Sequence, residues 1–393
     1  MERRKICIVT GTRAEWGLLR PIAEELARRD DCQVQIVATN MHLDPRFGHT
    51  IDEITQAGFA VDATVDMIMP GSPDNEATVA RATARCMSGM VDAFQQLAPD
   101  AIVVLGDRSE ILAVASAATI MRIPLIHLHG GEITEGAIDD AIRHAVTKLS
   151  SLHLVSTESH RRRVIQMGEQ PDMVINTGAI GVYNALHTPP VTNQELIDYI
   201  GFLPDKQTIF VTYHPATLDS VEASSRFDDL LKALDRFPQL KIIFSFPNND
   251  ARGAGLIDRI LRYAATSPER IKAIPSLGMR RYMSMLPKIA AAVGNSSSGI
   301  IEVPSAGIPS VDIGIRQRGR TAGPSVIHCG DSTEEIATAI ERALSPQMQQ
   351  LAARRENPYA QPDTLGKCVT AIATTPLDRL RHKTFHDLNQ RSR

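Results

Sequence analysis

Aromatic residues are scarce in this 393-residue chain, where ten Phe, six Tyr and one Trp make up only 4%. Positive charge is not in surplus either, since 42 Lys and Arg stand against 45 Asp and Glu for a net charge of −3. Nucleic-acid binding requires a basic footprint, and single strands in particular are held by stacking on aromatics, so that class is set aside. Five cysteines, Cys7, Cys32, Cys86, Cys329 and Cys368, are scattered without a CxxC pair. That spacing speaks against zinc or redox motifs and for reduced thiols of the cytoplasm. No window reaches the roughly 18 uninterrupted apolar residues of a membrane helix. The opening Met1-Glu2-Arg3-Arg4-Lys5 leads into a strand pattern without a signal peptide's apolar core. A cytoplasmic protein with no membrane or nucleic-acid partner is expected.

What is present is an ordinary soluble composition, 43% apolar and 22% charged. The length exceeds what one core usually serves, which predicts two domains. Short apolar, β-branched runs recur between helical patterns at Ile6–Thr10, Val34–Ala38, Ala101–Leu105, Ile123–His127, Leu152–Ser156 and Val174–Thr177. After a linker-like His187-Thr188-Pro189-Pro190-Val191-Thr192, a second series follows at Thr208–Thr212, Lys241–Phe246, Ile271–Ile274, Ala290–Val293, Ser310–Ile313 and Ser325–His328. Such alternation predicts an α/β fold of two doubly wound, Rossmann-like domains facing a cleft. The expected domains are 1–187 and 196–360. Residues 361–393 form a tail with a helix over Thr364–Ala373, returning toward the N-terminal domain, and a polar, basic end expected to fray.

Chemistry concentrates where these strands end, which is where parallel sheets bind ligands. Leu125-Ile126-His127-Leu128-His129-Gly130-Gly131-Glu132 runs from a strand into imidazoles, glycines and a carboxylate. Gly106-Asp107-Arg108 closes the preceding strand, and Asp139-Asp140-Ala141-Ile142-Arg143-His144 opens the following helix. Acids and imidazoles at consecutive strand ends point to acid–base chemistry on a small molecule. Each has a plainer alternative: Asp107 as a helix cap, His127 as a hydrogen-bonded core histidine. His127 and His129 would share one face of an extended segment, but a zinc site wants three or four converging ligands, and no metal is expected. Gly11-Thr12-Arg13-Ala14-Glu15-Trp16-Gly17 could present amides and the Arg13 charge to a phosphate, or be an ordinary strand-to-helix turn.

In the second half, His214 sits at a strand end before Pro215, suited to be a general acid or simply a turn histidine. Gly294-Asn295-Ser296-Ser297-Ser298-Gly299 joins a strand to a helix with small residues, hydroxyls and amides that suit phosphate oxygens. Glu302, a turn into that helix, could accept from ribose hydroxyls, and Arg316 and Arg320 could offset pyrophosphate charge.

Together these motifs, with Met41-His42-Leu43 and Arg316-Gln317, resemble the UDP-N-acetylglucosamine 2-epimerase family, specifically its hydrolysing branch in bacterial sialic and nonulosonic acid synthesis. The resemblance spans nearly the whole chain. It implies a glycosyltransferase-B-like fold, no cofactor, a UDP-sugar substrate and a homodimer or homotetramer. By position it implies Ser296 and Ser297 at the diphosphate, Glu302 at the ribose, Arg316 as a charge partner and Ser276–Tyr282 at the base. Asp107, Glu132 and Asp139 fall at catalytic positions, with Arg13, His129 and Arg143 on the sugar side and His214 facing the glycosidic oxygen. Some relatives, non-hydrolysing ones included, carry glutamate in the slot of His129. The implied chemistry removes the C2 proton as the C1–O bond to UDP breaks, then hydrates the glycal to N-acetylmannosamine. Other readings are the same chemistry on a UDP-2,4-diacetamido-2,4,6-trideoxyglucose donor, a glycosyltransferase on the same fold, and a nucleotide-sugar sensor.

Overall fold

The computed structural model describes residues 3–44, 50–69, 71–73, 75–134, 138–214, 223–246 and 253–388. The chain forms two compact units, one of Met1–Glu132, Ile138–Ile180 and Gln361–Arg393, the other of Ile133–Ala137 and Gly181–Ala360. Each is a parallel sheet with alternating helices, a Rossmann-like α/β architecture.

Among the described residues of the first unit, seven strands make one sheet: β1 Arg4–Thr10, β2 Cys32–Thr39, β3 Ala63–Val65, β4 Ala101–Leu105, β5 Leu125–Leu128, β6 Leu152–Val155 and β7 Val174–Asn176. Their order is β3-β2-β1-β4-β5-β6-β7, with every pairing parallel. Covered on both faces, these strands read as continuous apolar runs; all five residues of β4 are buried. The helix Ser109–Ile120 is apolar around most of its circumference and packs into the same core as Cys7, Val9, Ile102 and Val104.

The second unit repeats the plan with β8 Thr208–Thr212, β9 Lys241–Ser245, β10 Ile271–Ile274, β11 Ala291–Gly294, β12 Ser310–Ile313 and β13 Val326–Cys329. The order β10-β9-β8-β11-β12-β13 is again all parallel. In both sheets the winding direction reverses beside the first strand, between β1 and β4 and between β8 and β11. Connections leave these neighbouring strand ends in opposite directions, which opens a crevice for ligands there.

Three expectations change. β3 is an additional strand, only three residues long. β5 begins at Leu125 rather than Ile123, because the Ile123 N–H bonds back to the Ala118 carbonyl at 2.9 Å and Pro124 has no N–H for the ladder. The linker is not free of the core: Val191 is buried in the second unit and its N–H donates to Ser284 Oγ at 2.9 Å.

The tail helix Thr364–Thr374 packs on the helix Arg13–Ala27. Beyond it the described residues are anchored. Lys383 donates to the Ser150 carbonyl at 2.6 Å and pairs with Glu169 at 2.8 Å, and the His386 N–H reaches the Gly168 carbonyl at 2.9 Å. The last five residues lie outside the described ones. Among the described residues no helix is long and apolar enough to cross a membrane.

Candidate functional site

In the first unit the predicted residues lie past the ends of β1, β4 and β5, with Asp107 brought to Arg143 and His129 to Glu132. Asp107 does not cap the helix Ser109–Ile120: the N-cap position is Arg108, without a side-chain cap bond. Asp107 instead forms an ion pair with the buried guanidinium of Arg143, which also lies 3.7 Å from Asp140. Asp139, half-buried one position earlier, acts electrostatically on Arg108.

His127 and His129 part company because His129 adopts left-handed backbone, φ +65, so the segment is no longer extended there. His127 is the core histidine, with Nε2 2.8 Å from the Gly106 carbonyl and Nδ1 3.3 Å from Thr147 Oγ1. Burial pushes its pKa down to about 3. The His129 ring turns to Glu132 at 3.3 Å. Glu132 is buried and accepts from Ser156 Oγ at 2.8 Å, which in turn contacts His160 Nδ1 at 3.0 Å. Ser156 and His160 carried no motif in the sequence; only their place just past β6 could have drawn attention. Arg13 starts its helix behind the Thr12 cap and pairs with Glu53 at 3.1 Å on the surface.

In the second unit the reversal is held together by Asn295. Its Oδ1 accepts from the His214 N–H at 2.7 Å and its Nδ2 donates to the His214 carbonyl at 2.8 Å. Its own carbonyl accepts from Arg316 Nη1 and Gln317 Nε2, each at 2.9 Å. Gly294 before it has φ +143, and a Cβ there would collide with the Thr212 carbonyl, so only glycine lets β11 approach β8 this closely. Burial first, and the Arg316 charge second, bring the His214 pKa down to about 4. Pro215 lies outside the described residues.

Ser296 and Ser297 are half-buried on the turn between β11 and the helix Ser298–Ile301. Glu302 is not a turn inside one helix as expected but the hinge between two short ones, Ser298–Ile301 and Val303–Ala306, because Pro304 has no N–H to bond the Ile300 carbonyl and carry the first onward. A Cβ on Gly181 would collide with the Glu302 carboxylate. Tyr282 lies beside the same turn, its hydroxyl 2.8 Å from Ser298 Oγ. Arg320 lies 3.4 Å from Thr134 Oγ1. Among the described residues no group of three or more His, Cys, Asp or Glu is placed to hold a metal ion.

A sequence model of the UDP-N-acetylglucosamine 2-epimerase family matches residues 24–373. This chain belongs to that family. It is 37% identical to the GDP/UDP-N,N'-diacetylbacillosamine 2-epimerase (hydrolyzing) of Campylobacter jejuni, over 99% of this chain and 100% of the relative. It is 31% identical to the UDP-N-acetylglucosamine 2-epimerase of Neisseria meningitidis, over 87% of this chain and 88% of that one. The crystal structure of UDP-GlcNAc 2-epimerase from Neisseria meningitidis bound to UDP-GlcNAc superposes with a TM-score of 0.81 at 19% identity, covering 94% of this chain and all of that one. The fold is thus that of the 2-epimerase family, and epimerase chemistry on a nucleotide sugar is the family's activity.

Proposed function

We propose that this 2-epimerase family member is hydrolysing, converting UDP-N-acetylglucosamine and water to N-acetylmannosamine and UDP in the cytoplasm, for sialic acid-type sugar synthesis. The observation that carries the reading is the set of proton-bearing groups past β4 and β5, where Asp107 pairs with Arg143 and His129 with Glu132. A transferase needs no carbon acid removed; an eliminating enzyme needs groups that take and return protons.

In this reading residues 1–187 serve the sugar and 196–360 the nucleotide, with the 361–393 tail belonging to the first. Asp107, Glu132 and Asp139 supply the acid–base groups, one of which removes the C2 proton while the C1–O bond breaks. His214 assists departure of UDP. The glycal formed takes up water, with OH at C1 and H at C2 from the opposite face, so the equation balances with water alone. Arg13, His129 and Arg143 orient the sugar, Ser296 and Ser297 hold the diphosphate, Glu302 the ribose, and Arg316 offsets charge. A homodimer or homotetramer accompanies this reading, and sedimentation tests it.

A second donor is favoured by the Campylobacter jejuni relative, whose name specifies N,N'-diacetylbacillosamine. The same steps would act on UDP-2,4-diacetamido-2,4,6-trideoxyglucose. The deciding experiment incubates the protein with each donor in deuterated water and identifies products by NMR. Release of UDP with a C2-deuterated, C2-inverted sugar supports the reading, and the donor turned over names the substrate. A free sugar that keeps its C2 hydrogen ends it, and UDP release only on addition of an acceptor would make the protein a glycosyltransferase.

A further inference from the structure

Two buried carboxyls that the reaction scheme leaves unused flank Gly11 at the sheet reversal of the first unit. Glu15 Oε2 accepts the Gly11 N–H at 2.7 Å, while its Oε1 is buried without a hydrogen-bond partner among the described residues. On the other side, a Cβ at Gly11 would lie 2.6 Å from Glu110 Oε1, so glycine is what admits Glu110. Glu110 is fully buried and gathers three strand ends. Its Oε1 accepts from Asn40 Nδ2 beyond β2 at 2.6 Å and from Arg108 Nε beyond β4 at 2.8 Å, with Gly11 beyond β1 alongside. Asn40 makes its contact from left-handed backbone, φ +51, an uncommon state for a residue with a side chain.

Two carboxylates in one dry site cannot both ionise without a large cost, and one guanidinium compensates only one of them. Glu110 takes two donors on one oxygen, whereas Glu15, with a buried unpartnered oxygen, carries the proton. We propose that Glu15 and Glu110 are a one-proton pair that positions Arg108 and the Gly11–Arg13 turn for the sugar chemistry, an assignment that rests on the function proposed above. Arg108 follows Asp107 directly, so the grip on its guanidinium also fixes the backbone from which Asp107 reaches Arg143. Burial first, and Glu110 second, push the Glu15 carboxyl up to about 8. The other titratable groups around the pair are Arg108, His42, Cys86 and, through Arg108, Asp139.

The test has two arms. In the first, unfolding temperature is followed from pH 5 to 9 for the wild type and Glu15→Gln without substrate. An acid whose folded pKa is raised stabilises the fold below its unfolded pKa and loses that contribution as pH rises to the folded value. The wild type should therefore fall relative to Glu15→Gln between pH 5 and 8, by at least ~2 °C, and parallel curves overturn the proton on Glu15. In the second arm, UDP release is compared for wild type, Glu110→Gln and Gly11→Ala. Both variants should lower kcat at least ~10-fold, one by weakening the Arg108 grip and the other by displacing Glu110 without changing charge. Wild-type kcat and KM in both overturn the positioning role. A wild type inert toward both donors would end the proposed function, whereas the first arm still decides the pair.

Discussion

Asn295 engages the main chain of His214 in both directions, accepting its N–H at 2.7 Å and donating to its carbonyl at 2.8 Å. A side-chain amide here imitates a neighbouring strand and continues the β11–β8 ladder one residue past Gly294. Asn295→Ala leaves two buried main-chain groups unpaired and should cost about 2–3 kcal/mol. Asn295→Asp keeps the acceptor but sets an oxygen against the His214 carbonyl. Urea unfolding and UDP release should both fall in these variants, by at least ~10-fold in kcat; an Asp variant matching the wild type would show the clamp is dispensable.

Asp107→Asn preserves shape and removes the charge that faces Arg143. As an acid–base group Asp107 should contribute about 10²–10⁴ in kcat. UDP affinity, measured by calorimetry, should change less than about twofold because the nucleotide contacts proposed for the second unit are untouched. Undiminished turnover would remove Asp107 from the chemistry.

His214 supplies a pH signature. Its ordinary value of 6.5 is lowered to about 4 by burial and by Arg316. A depressed base stabilises the fold above its unfolded pKa and loses that contribution as pH falls toward the folded one, here over pH 6.5 to 4, up to ~3 kcal/mol. His214→Gln should lose less stability over that window in chemical denaturation. Added UDP should raise the His214 pKa in an NMR titration, since an anionic diphosphate bound next to it favours the imidazolium; an unmoved resonance would place the diphosphate elsewhere.

Glu169 ties the tail to the first unit. Burial opposes its ionisation, but hydrogen bonds from His153, Lys148 and Lys383 outweigh that and bring it down to about 2. Glu169→Gln leaves the surrounding cations without a counter-charge and should cost about 3 kcal/mol at pH 7. The loss should shrink as acidity increases from pH 4.5 toward 2, where the wild-type carboxylate itself is protonated. A deficit independent of pH would assign the effect to packing.

Gly168 has φ +91, and a Cβ there would collide with the Phe385 ring. Gly168→Ala should therefore destabilise by about 1–3 kcal/mol and expose the tail to limited proteolysis. Adding Phe385→Ala should return part of the loss, because the ring is half of the clash. Strict additivity would leave backbone strain as the whole cause.

The strand-end clusters were legible as places because parallel strands buried on both faces stand out as apolar runs, and the Gly-Asp-Arg, His-Gly-Gly-Glu and Gly-Asn-Ser-Ser-Ser-Gly motifs interrupt them abruptly. β3 was not, since Ala63-Thr64-Val65 stands between Asp62 and Asp66 and offers no continuous apolar run. Glu15 stood inside the Gly11–Gly17 motif without a role and Glu110 drew no reading; their burial becomes visible only when β1, β2 and β4 are brought side by side. Asn295 stood inside a motif valued for its hydroxyls, although its amide holds the turn. The tail looked polar and loose because the groups satisfying Lys383 lie more than two hundred residues earlier in the chain.

Because the first unit takes its closing helix from residues past Gln361, and Arg4 Nη1 donates to the Ile372 carbonyl at 2.9 Å, a ribosome cannot finish this lobe until it has made the other. The second unit, nearly continuous in sequence, is free to fold while the N-terminal sheet waits with one flank uncovered. Cutting the gene after residue 180 would yield an open-sided fragment, whereas a circular permutant joining the tail to Arg4 would let that lobe mature as a single piece.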